Sequence, residues 1–259
     1  MKIIVSVKQV PSRDSNLRPD SSGHWIDESD LTFEMNEPDA YALEEALQLK
    51  EKSGGEVVVV CVGPERAAQT IREALAKGAD RAIHIRTEDS ERPDSLGTAQ
   101  LLAAAIQPEG PDLVLAGLQS DDLGYGQTGV VLAEFLGFPH ATIVMEVEAG
   151  EASIRVKREL EDGWFQYITF PLPAVLTIQS GIKKLRYATL MGIKKAKTKE
   201  VRVIAAAELK PGAAGEGTAS QIERVYLPQR AKQTQLLQGS PQEIAVQLVE
   251  KLRFEARVL

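Results

Sequence analysis

The fold is decided by a run of small apolar residues, Val57-Val58-Val59-Val60-Cys61-Val62, which is followed by Gly63-Pro64-Glu65. Successive side chains of a strand point to opposite faces of a sheet, so a run that is apolar throughout predicts a strand buried on both faces. The glycine and proline end this strand, and a helical spacing of apolar residues leads from there to Gly78, a predicted helix cap. A buried strand that runs directly into a helix is typical of a parallel α/β sheet.

The same alternation extends to both sides of this run through the first 140 residues. Further strands are predicted at residues 3–7, 82–85 and 113–117, and helices at about 36–50, 95–106 and 127–136, where Asn36-Glu37-Pro38-Asp39 supplies a cap and a proline for the first helix. The pattern predicts an α/β fold with a doubly wound, mostly parallel sheet, the Rossmann-like kind that binds adenine nucleotides.

Beyond residue 140 the apolar period changes to two, and strands at 142–148, 153–160 and 164–170 predict an antiparallel meander. A further strand is predicted at 173–178. A run rich in proline, glycine and alanine at 210–220 predicts a linker, and apolar residues after Gly239 predict a terminal amphipathic helix. We therefore expect a nucleotide-binding domain of residues 1–200, which includes the meander, and a C-terminal extension of residues 201–259.

Composition excludes several classes of function. A net charge of −7, spread through the chain, gives no general attraction to nucleic acid or acidic lipid. The single cysteine excludes a disulfide framework. The apolar run at the amino terminus is too short for a signal peptide, and no stretch is long enough to span a bilayer. We therefore expect a soluble, cytoplasmic protein without membrane insertion.

Residues for catalysis or metal binding are few. The three histidines, His24, His84 and His140, are scattered, and the carboxylates show no paired spacing. Metal and acid–base sites normally cluster such side chains at defined intervals. We therefore name no catalytic residue and no metal ligand.

Nucleotide binding is better supported, because ligands of open α/β sheets collect beyond the carboxyl ends of the strands. Three such ends are expected to meet, at Ser6, at Val62-Gly63 and at Gly117. The loop after Gly117 reaches a helix start at Gly126-Gln127-Thr128, where a glycine, a hydroxyl and a helix dipole suit a phosphate. The loop carries neither a Walker motif nor a dinucleotide fingerprint, so an ordinary loop before a helix is the alternative.

A second candidate site is the segment Leu185-Arg186-Tyr187-Ala188-Thr189-Leu190-Met191, which places apolar residues within a basic stretch. An exposed leucine flanked by cations suits the docking of a partner protein. The alternative is a loop that packs its leucine against its own domain.

Taken in order, these pieces resemble one family, the beta subunits of electron transfer flavoproteins, over nearly the whole chain. The matching motifs include Val7-Lys8-Gln9-Val10, Met35-Asn36, Gly63-Pro64, Val156-Lys157-Arg158-Glu159, Leu172-Pro173-Ala174-Val175, Arg186-Tyr187-Ala188-Thr189-Leu190 and Lys194-Lys195-Ala196-Lys197. The resemblance implies a heterodimer with an alpha subunit that holds most of the FAD, while the beta chain completes the site and catalyses no bond chemistry. Residues 201–259 are then an arm and a helix that pack on the partner subunit. Electrons come from flavin dehydrogenases, such as the acyl-CoA dehydrogenases of fatty acid oxidation, and go to a membrane quinone oxidoreductase.

The resemblance also implies roles for individual residues. Leu190, with Tyr187 and Met191, corresponds to the loop that docks partner dehydrogenases, and Glu159 to an acidic residue that makes an interdomain contact. A pocket for AMP is implied at Ser6, Asn36, Glu37, Pro38, Asp39, Val62, Gly63, Gly117, Gln119, Ser120, Asp122, Gly126, Gln127 and Thr128.

The chain departs from the family pattern at several positions. AMP-binding members have an asparagine where this chain has Gly126, and the acidic run is shortened to Asp121-Asp122. A bifurcating class holds a second FAD in this pocket and takes electrons from NADH, but its typical Thr-Ala-Gln-Val-Gly is not matched by Gly126-Gln127-Thr128-Gly129. We favour AMP, with a second FAD and a nucleotide-sensing module of the same fold as the alternatives. Near the flavin the family often has aromatic residues where this chain has Arg13 and Pro38.

Overall fold

The computed structural model describes residues 1–88, 91–209, 219–228 and 234–259. The strands of this part of the chain are β1 (Lys2–Ser6), β2 (Gln9–Pro11), β3 (Phe33–Met35), β4 (Glu56–Gly63), β5 (Arg81–Arg86), β6 (Leu113–Gly117), β7 (His140–Ala149), β8 (Ser153–Glu159), β9 (Phe165–Pro171), β10 (Ala174–Ile178) and β11 (Val201–Ala205). The α-helices are α1 (Glu37–Ser53), α2 (Ala68–Lys77), α3 (Ser95–Ile106), α4 (Thr128–Leu136), α5 (Leu190–Ala196) and α6 (Pro241–Glu250).

Nine of the described strands form one sheet in the order β11-β5-β4-β1-β6-β10-β7-β8-β9. The strands from β11 to β7 in this order pair in parallel, and β7, β8 and β9 form the antiparallel meander. The predicted doubly wound sheet and meander are therefore confirmed. The chain leaves β1 for β4 on one side and returns to β6 on the other, so the strand order reverses between β1 and β6. This position is the topological switch point of the sheet.

Helices cover both faces of the sheet because the central strands are apolar on both. Ile3 and Val5 of β1 face a core that includes Leu43 of α1 and Ile71 of α2, both almost fully buried. Ile4, between them, faces a second core built with α3 and α4. Each such side chain stabilises the fold by about 1.5–3 kcal/mol on burial. Two cores thus clamp the central strands and hold their ends in place.

Four short elements were not predicted from the sequence. The strands β2 and β3 pair and close off a long excursion, residues 12–32, and β11 pairs in parallel with β5 at the end of the sheet. The seven-residue helix α5 packs on α2. Each is too short to show a clear apolar period, so tertiary contacts determine its conformation.

Of the predicted C-terminal extension, the structure describes residues 201–209, 219–228 and 234–259. The predicted terminal helix is confirmed as α6, which starts with a capping box between Ser240 and Glu243. The linker predicted at 210–220 lies mostly outside the described residues. Within the described ranges, no helix has the length and apolarity needed to cross a membrane. The division of the chain at residue 200 stays a prediction.

Candidate functional site

A cavity of about 370 Å³ lies at the carboxyl edge of the sheet, where β1, β4 and β6 end. Ser6, Val62, Gly63 and Gly117 all line it, which confirms that the three predicted strand ends converge. The other predicted nucleotide residues in its wall are Asn36, Asp39, Gln119, Ser120, Asp122, Gly126, Gln127 and Thr128. Glu37 and Pro38 do not line it, although they stand between Asn36 and Asp39 in the sequence.

Asn36 fixes the loop that follows β6. It occupies the N-cap position of α1, as predicted, but its side chain makes no hydrogen bond to the helix. Instead, its Nδ2 donates to the carbonyl oxygen of Gln119 at 2.9 Å, and its Oδ1 accepts from the amide of Asp121 at 2.9 Å. The side chain is 1% exposed, so both bonds are shielded from water.

Asp39, in the first turn of α1, ties the ends of β1 and β6 together. Its two oxygens accept hydrogen bonds from the amide of Lys8 at 2.7 Å and from the amide of Gly117 at 2.8 Å. Burial raises the pKa of this carboxyl to about 7. A Cβ at Gly117 would lie 2.4 Å from Asp39 Oδ1, so only glycine permits this close approach.

Lys8 is one of three cations that line the cavity, with Arg66 and Arg92, and it is already paired. Its Nζ lies 2.7 Å from Asp122 Oδ1 and 3.4 Å from Ser120 Oγ. Burial opposes the ionisation of Asp122, but the Lys8 charge and hydrogen bonds together hold the pKa of that carboxyl below its ordinary value. Lys8 was not among the predicted nucleotide residues, although its place directly after β1 was the signal that could have found it.

The N-cap residues of α1, α2, α3 and α4 all line the cavity, and α3 and α4 differ in how they are capped. Asp94 caps α3 by accepting from the amide of Gly97 at 2.9 Å. Gln127, at the N-cap of α4, makes no such side-chain bond, and Gly126, Thr128 and Gly129 beside it line the cavity. The first-turn amides of α4 therefore have no capping side chain, and with the helix dipole they form a natural anion site.

Gln9 was also missed from the sequence, and it carries an unsatisfied acceptor. Its Nε2 donates to the carbonyl oxygen of Arg66 at 3.0 Å and to Thr70 Oγ1 at 3.1 Å. Its Oε1 is buried and has no hydrogen-bond partner in the described structure. A buried amide oxygen is normally hydrogen-bonded, and Gln9 belongs to the cavity wall. Protein atoms shield Oε1 from the open cavity, so Gln9 acts mainly as a tie between β2 and α2 through its bond to Thr70.

The predicted docking residues lie together on the surface, away from the cavity. Tyr187, Leu190 and Met191 are 91%, 82% and 62% exposed. The backbone of this segment is held in place. The hydroxyl of Thr189 caps α5 by accepting a hydrogen bond from the amide of Gly192 at 3.0 Å. A Cβ at Gly192 would lie 2.3 Å from the Ala76 carbonyl oxygen, so α5 is pressed onto α2. Leu190 therefore points outward from a fixed backbone.

The basic stretch before this segment is partly neutralised by α1. The Arg186 guanidinium reaches Glu44 at 2.8 Å and Glu51 at 2.6 Å, and Lys183 reaches Glu45 at 3.3 Å. Glu44 and Glu45 are nearly inaccessible to water, so these pairs anchor the chain just before Tyr187.

Glu159, the predicted interdomain residue, is brought to neither site. It ends β8 and pairs across the meander with Phe165 of β9, and it is not part of the cavity wall. A neighbouring group of aromatic side chains, Trp164, Phe165 and Tyr167, is exposed on the same hairpin.

Comparison with known proteins matches the chain to one family. The family model for the electron transfer flavoprotein domain matches residues 24–209. The electron transfer flavoprotein subunit beta of Methylophilus methylotrophus is 38% identical over 257 residues, which cover 96% of this chain and 97% of the relative. The proteins of the same name from Bacillus subtilis and Homo sapiens are 37% and 36% identical, over 93% and 100% of this chain and 90% and 99% of their own lengths. The chain therefore belongs to the electron transfer flavoprotein family, as one of its beta subunits.

Proposed function

We propose that this chain pairs with an alpha subunit to form a heterodimeric electron carrier. The carrier accepts electrons from flavin dehydrogenases, such as acyl-CoA dehydrogenases, and passes them through FAD to a membrane quinone oxidoreductase. The observation that carries the proposal is the high exposure of Leu190 at the start of α5. A large apolar side chain held in water in this way is typical of a surface that docks other proteins. The cytoplasmic location stays a prediction.

The cavity at the switch point is proposed to hold AMP as a structural ligand. Its volume of about 370 Å³ is near the lower end of the roughly 300–1,000 Å³ typical of ligand sites, which suits a mononucleotide better than a dinucleotide. The uncapped start of α4, with Gly126 and Thr128, is the subsite for the phosphate. AMP would hold the loops that face the alpha subunit.

FAD, which supplies the electron-transfer chemistry when bound, is assigned mainly to the alpha subunit. This chain's share is proposed at the start of α1, around Arg13 and Pro38. The structure has an exposed charged cluster there: Arg13 pairs with Glu37 and lies 3.6 Å from Asp121. These side chains suit polar contacts at the edge of a cofactor rather than an aromatic stack.

The remaining surfaces are assigned to protein partners. Tyr187, Leu190 and Met191 dock the dehydrogenase, and Glu159 makes a contact within the heterodimer. The exposed apolar side chains of α6, Val246, Leu248 and Val249, are covered by the alpha subunit as part of the C-terminal arm.

The test is to express this chain together with its alpha subunit, denature the purified complex and quantify the nucleotides released. One FAD and one AMP per heterodimer are expected. Two FAD without AMP would contradict the AMP assignment and indicate the bifurcating type with NADH as donor. A chain that forms no complex with a flavin-bearing subunit would contradict the carrier function and indicate a nucleotide-sensing module.

A further inference from the structure

The cavity has a wall that none of the predicted site residues supplies. Residues 219–228, which we name the strap, supply this wall, and two of them, Ile222 and Val225, line the cavity. Both are half-buried, whereas Tyr226 and Leu227 beside them are 65% exposed. The strap therefore directs two of its apolar residues toward the cavity and two toward solvent, although it has no regular secondary structure.

The strap is tied down on both sides of the mouth. The amide and hydroxyl of Ser220 donate to Asp94 Oδ2 at 2.8 and 3.0 Å, while the other oxygen of Asp94 caps α3. Five residues on, the amide of Val225 donates to the carbonyl oxygen of Gly23 at 2.8 Å, in the excursion that carries Trp25. Ile222 lies between these two anchors. The strap thus bridges α3 and the excursion and closes the cavity between them.

The two ends of the cavity differ in chemistry. The strap end lies by α3, which packs on β4 and β5, and its wall includes Glu91, Arg92 and Asp94, so this end carries both signs of charge and two carboxylates to one guanidinium. The Arg92 guanidinium lies over the Trp25 ring, and the remaining negative charge disfavours an anion here. Apolar side chains complete it, namely Val62, Leu102, Ile222 and Val225. The other end lies by α4, which packs on β6 and β10 and presents an uncapped N-terminus. A flat, uncharged base fits the first end, and a phosphate fits the second.

We propose that the strap forms the outer wall of the base subsite, with Ile222 and Val225 packing against the purine ring of the bound adenine nucleotide. The inference rests on the proposed function, because it requires a nucleotide in this cavity, and it adds the ligand's orientation and a barrier to its exit. The nucleotide leaves only when the strap lifts, which breaks the Ser220 and Val225 anchors and exposes two apolar side chains.

The experiment measures the exchange of bound AMP for radiolabelled AMP in the purified heterodimer. The variant Ile222→Ser/Val225→Ser is expected to exchange roughly tenfold faster than wild type, since it loses apolar contact with the base. Leu227→Ser is the matched control, because it makes the same change on the outward side of the strap, and its rate is expected to equal that of wild type. Ser220→Ala keeps both apolar residues, removes a hydroxyl anchor and is expected to exchange a few-fold faster, which tests the strap even where the double variant folds poorly.

Four outcomes are informative. Faster exchange in the double variant and in Ser220→Ala, with Leu227→Ser unchanged, supports the strap. Wild-type exchange rates in both cavity-side variants overturn it while leaving AMP binding intact. Equal acceleration in Leu227→Ser also overturns it, because the effect would then be general loosening. A wild-type heterodimer that contains one FAD and no further nucleotide overturns the proposed AMP site and the strap together.

Discussion

In most proteins polar side chains are exposed and large apolar side chains are buried. The cavity and the docking segment, residues 187–191, break this rule in opposite ways. In the cavity, the polar side chains of Asn36 and Asp39 are almost fully buried. In the docking segment, the large apolar side chains of Tyr187 and Leu190 are almost fully exposed. Buried polar groups persist only where they are hydrogen-bonded, and clustered exposed apolar groups mark interaction sites. Folding alone requires neither the buried polar groups of the cavity nor the exposed apolar groups of the docking segment, so both indicate binding sites.

The two regions differ in how stability and function are related. In the cavity the side chains that shape the site also join the strand ends, so a substitution there affects folding and binding together. In the docking segment the backbone is held from beneath, by Gly192 against α2 and by Arg186 against α1. The exposed side chains contribute little to the fold, so binding can be changed without changing stability.

The largest expected effect comes from a substitution in the cavity, where stability and binding should change together. Gly117→Ala places a methyl group 2.4 Å from Asp39 Oδ1 and 2.7 Å from the Asp39 amide, so β6 or α1 must move. We expect about 3 kcal/mol of destabilisation, from overpacking and strained hydrogen bonds. Urea unfolding and the AMP content of the heterodimer measure it. Gly150→Ala, in a surface turn with its nearest neighbour at 3.2 Å, is the control. Wild-type stability in Gly117→Ala would contradict the close approach.

A second, smaller effect tests the buried carboxyl through pH. The pKa of Asp39 is about 7 in the folded protein and about 3.9 in an unfolded chain. Between these values the folded state binds more protons than the unfolded state, so the contribution of this group to stability falls as the pH rises from about 4 to about 7. Asp39→Asn removes this dependence on pH. It also places the side-chain NH2 group opposite a backbone N–H, which is expected to lower the free energy of unfolding by about 2 kcal/mol.

Urea unfolding at several pH values between 5 and 8 measures the gap in the free energy of unfolding between wild type and Asp39→Asn. The gap is expected to narrow as the pH rises. A gap that widens would show that the carboxylate is the favoured form in the fold. Asp27→Asn serves as a control, because hydrogen bonds from Ser29 lower the pKa of that exposed carboxyl, so its gap should not narrow.

The smallest effect on stability sharpens the docking side. Leu190→Ala is expected to change the free energy of unfolding by less than about 0.5 kcal/mol, because the side chain is exposed. Electron transfer from a dehydrogenase should slow about tenfold, while the flavin content stays unchanged. Stopped-flow reduction of the heterodimer measures the rate, with the half-exposed Val203→Ala on β11 as the control. An unchanged rate would remove the docking role.

Much of the fold could be predicted from the chain because its central elements are long and periodic. The valine run predicted β4, and the change to period two predicted the meander of β7, β8 and β9. The part of the cavity wall at the strand ends could be placed as well, since strand ends of a parallel sheet meet at one edge. The part supplied by residues 12–32, by the start of α3 and by residues 219–228 could not. The short pieces, β2, β3, α5 and β11, could not, because so few residues carry no reliable period.

The sequence by itself determined the parallel sheet, the edge of the sheet at which the cavity lies and the family to which the chain belongs, because apolar period and motifs are local properties. Only the tertiary structure decided that Asn36 holds the loop after β6, that Asp39 joins the ends of β1 and β6, that Lys8 is paired with Asp122, and that Ile222 and Val225 line the cavity. These partners lie from 31 to more than 100 residues apart in the chain. Such contacts depend on how the elements pack, and no local pattern of residues encodes them.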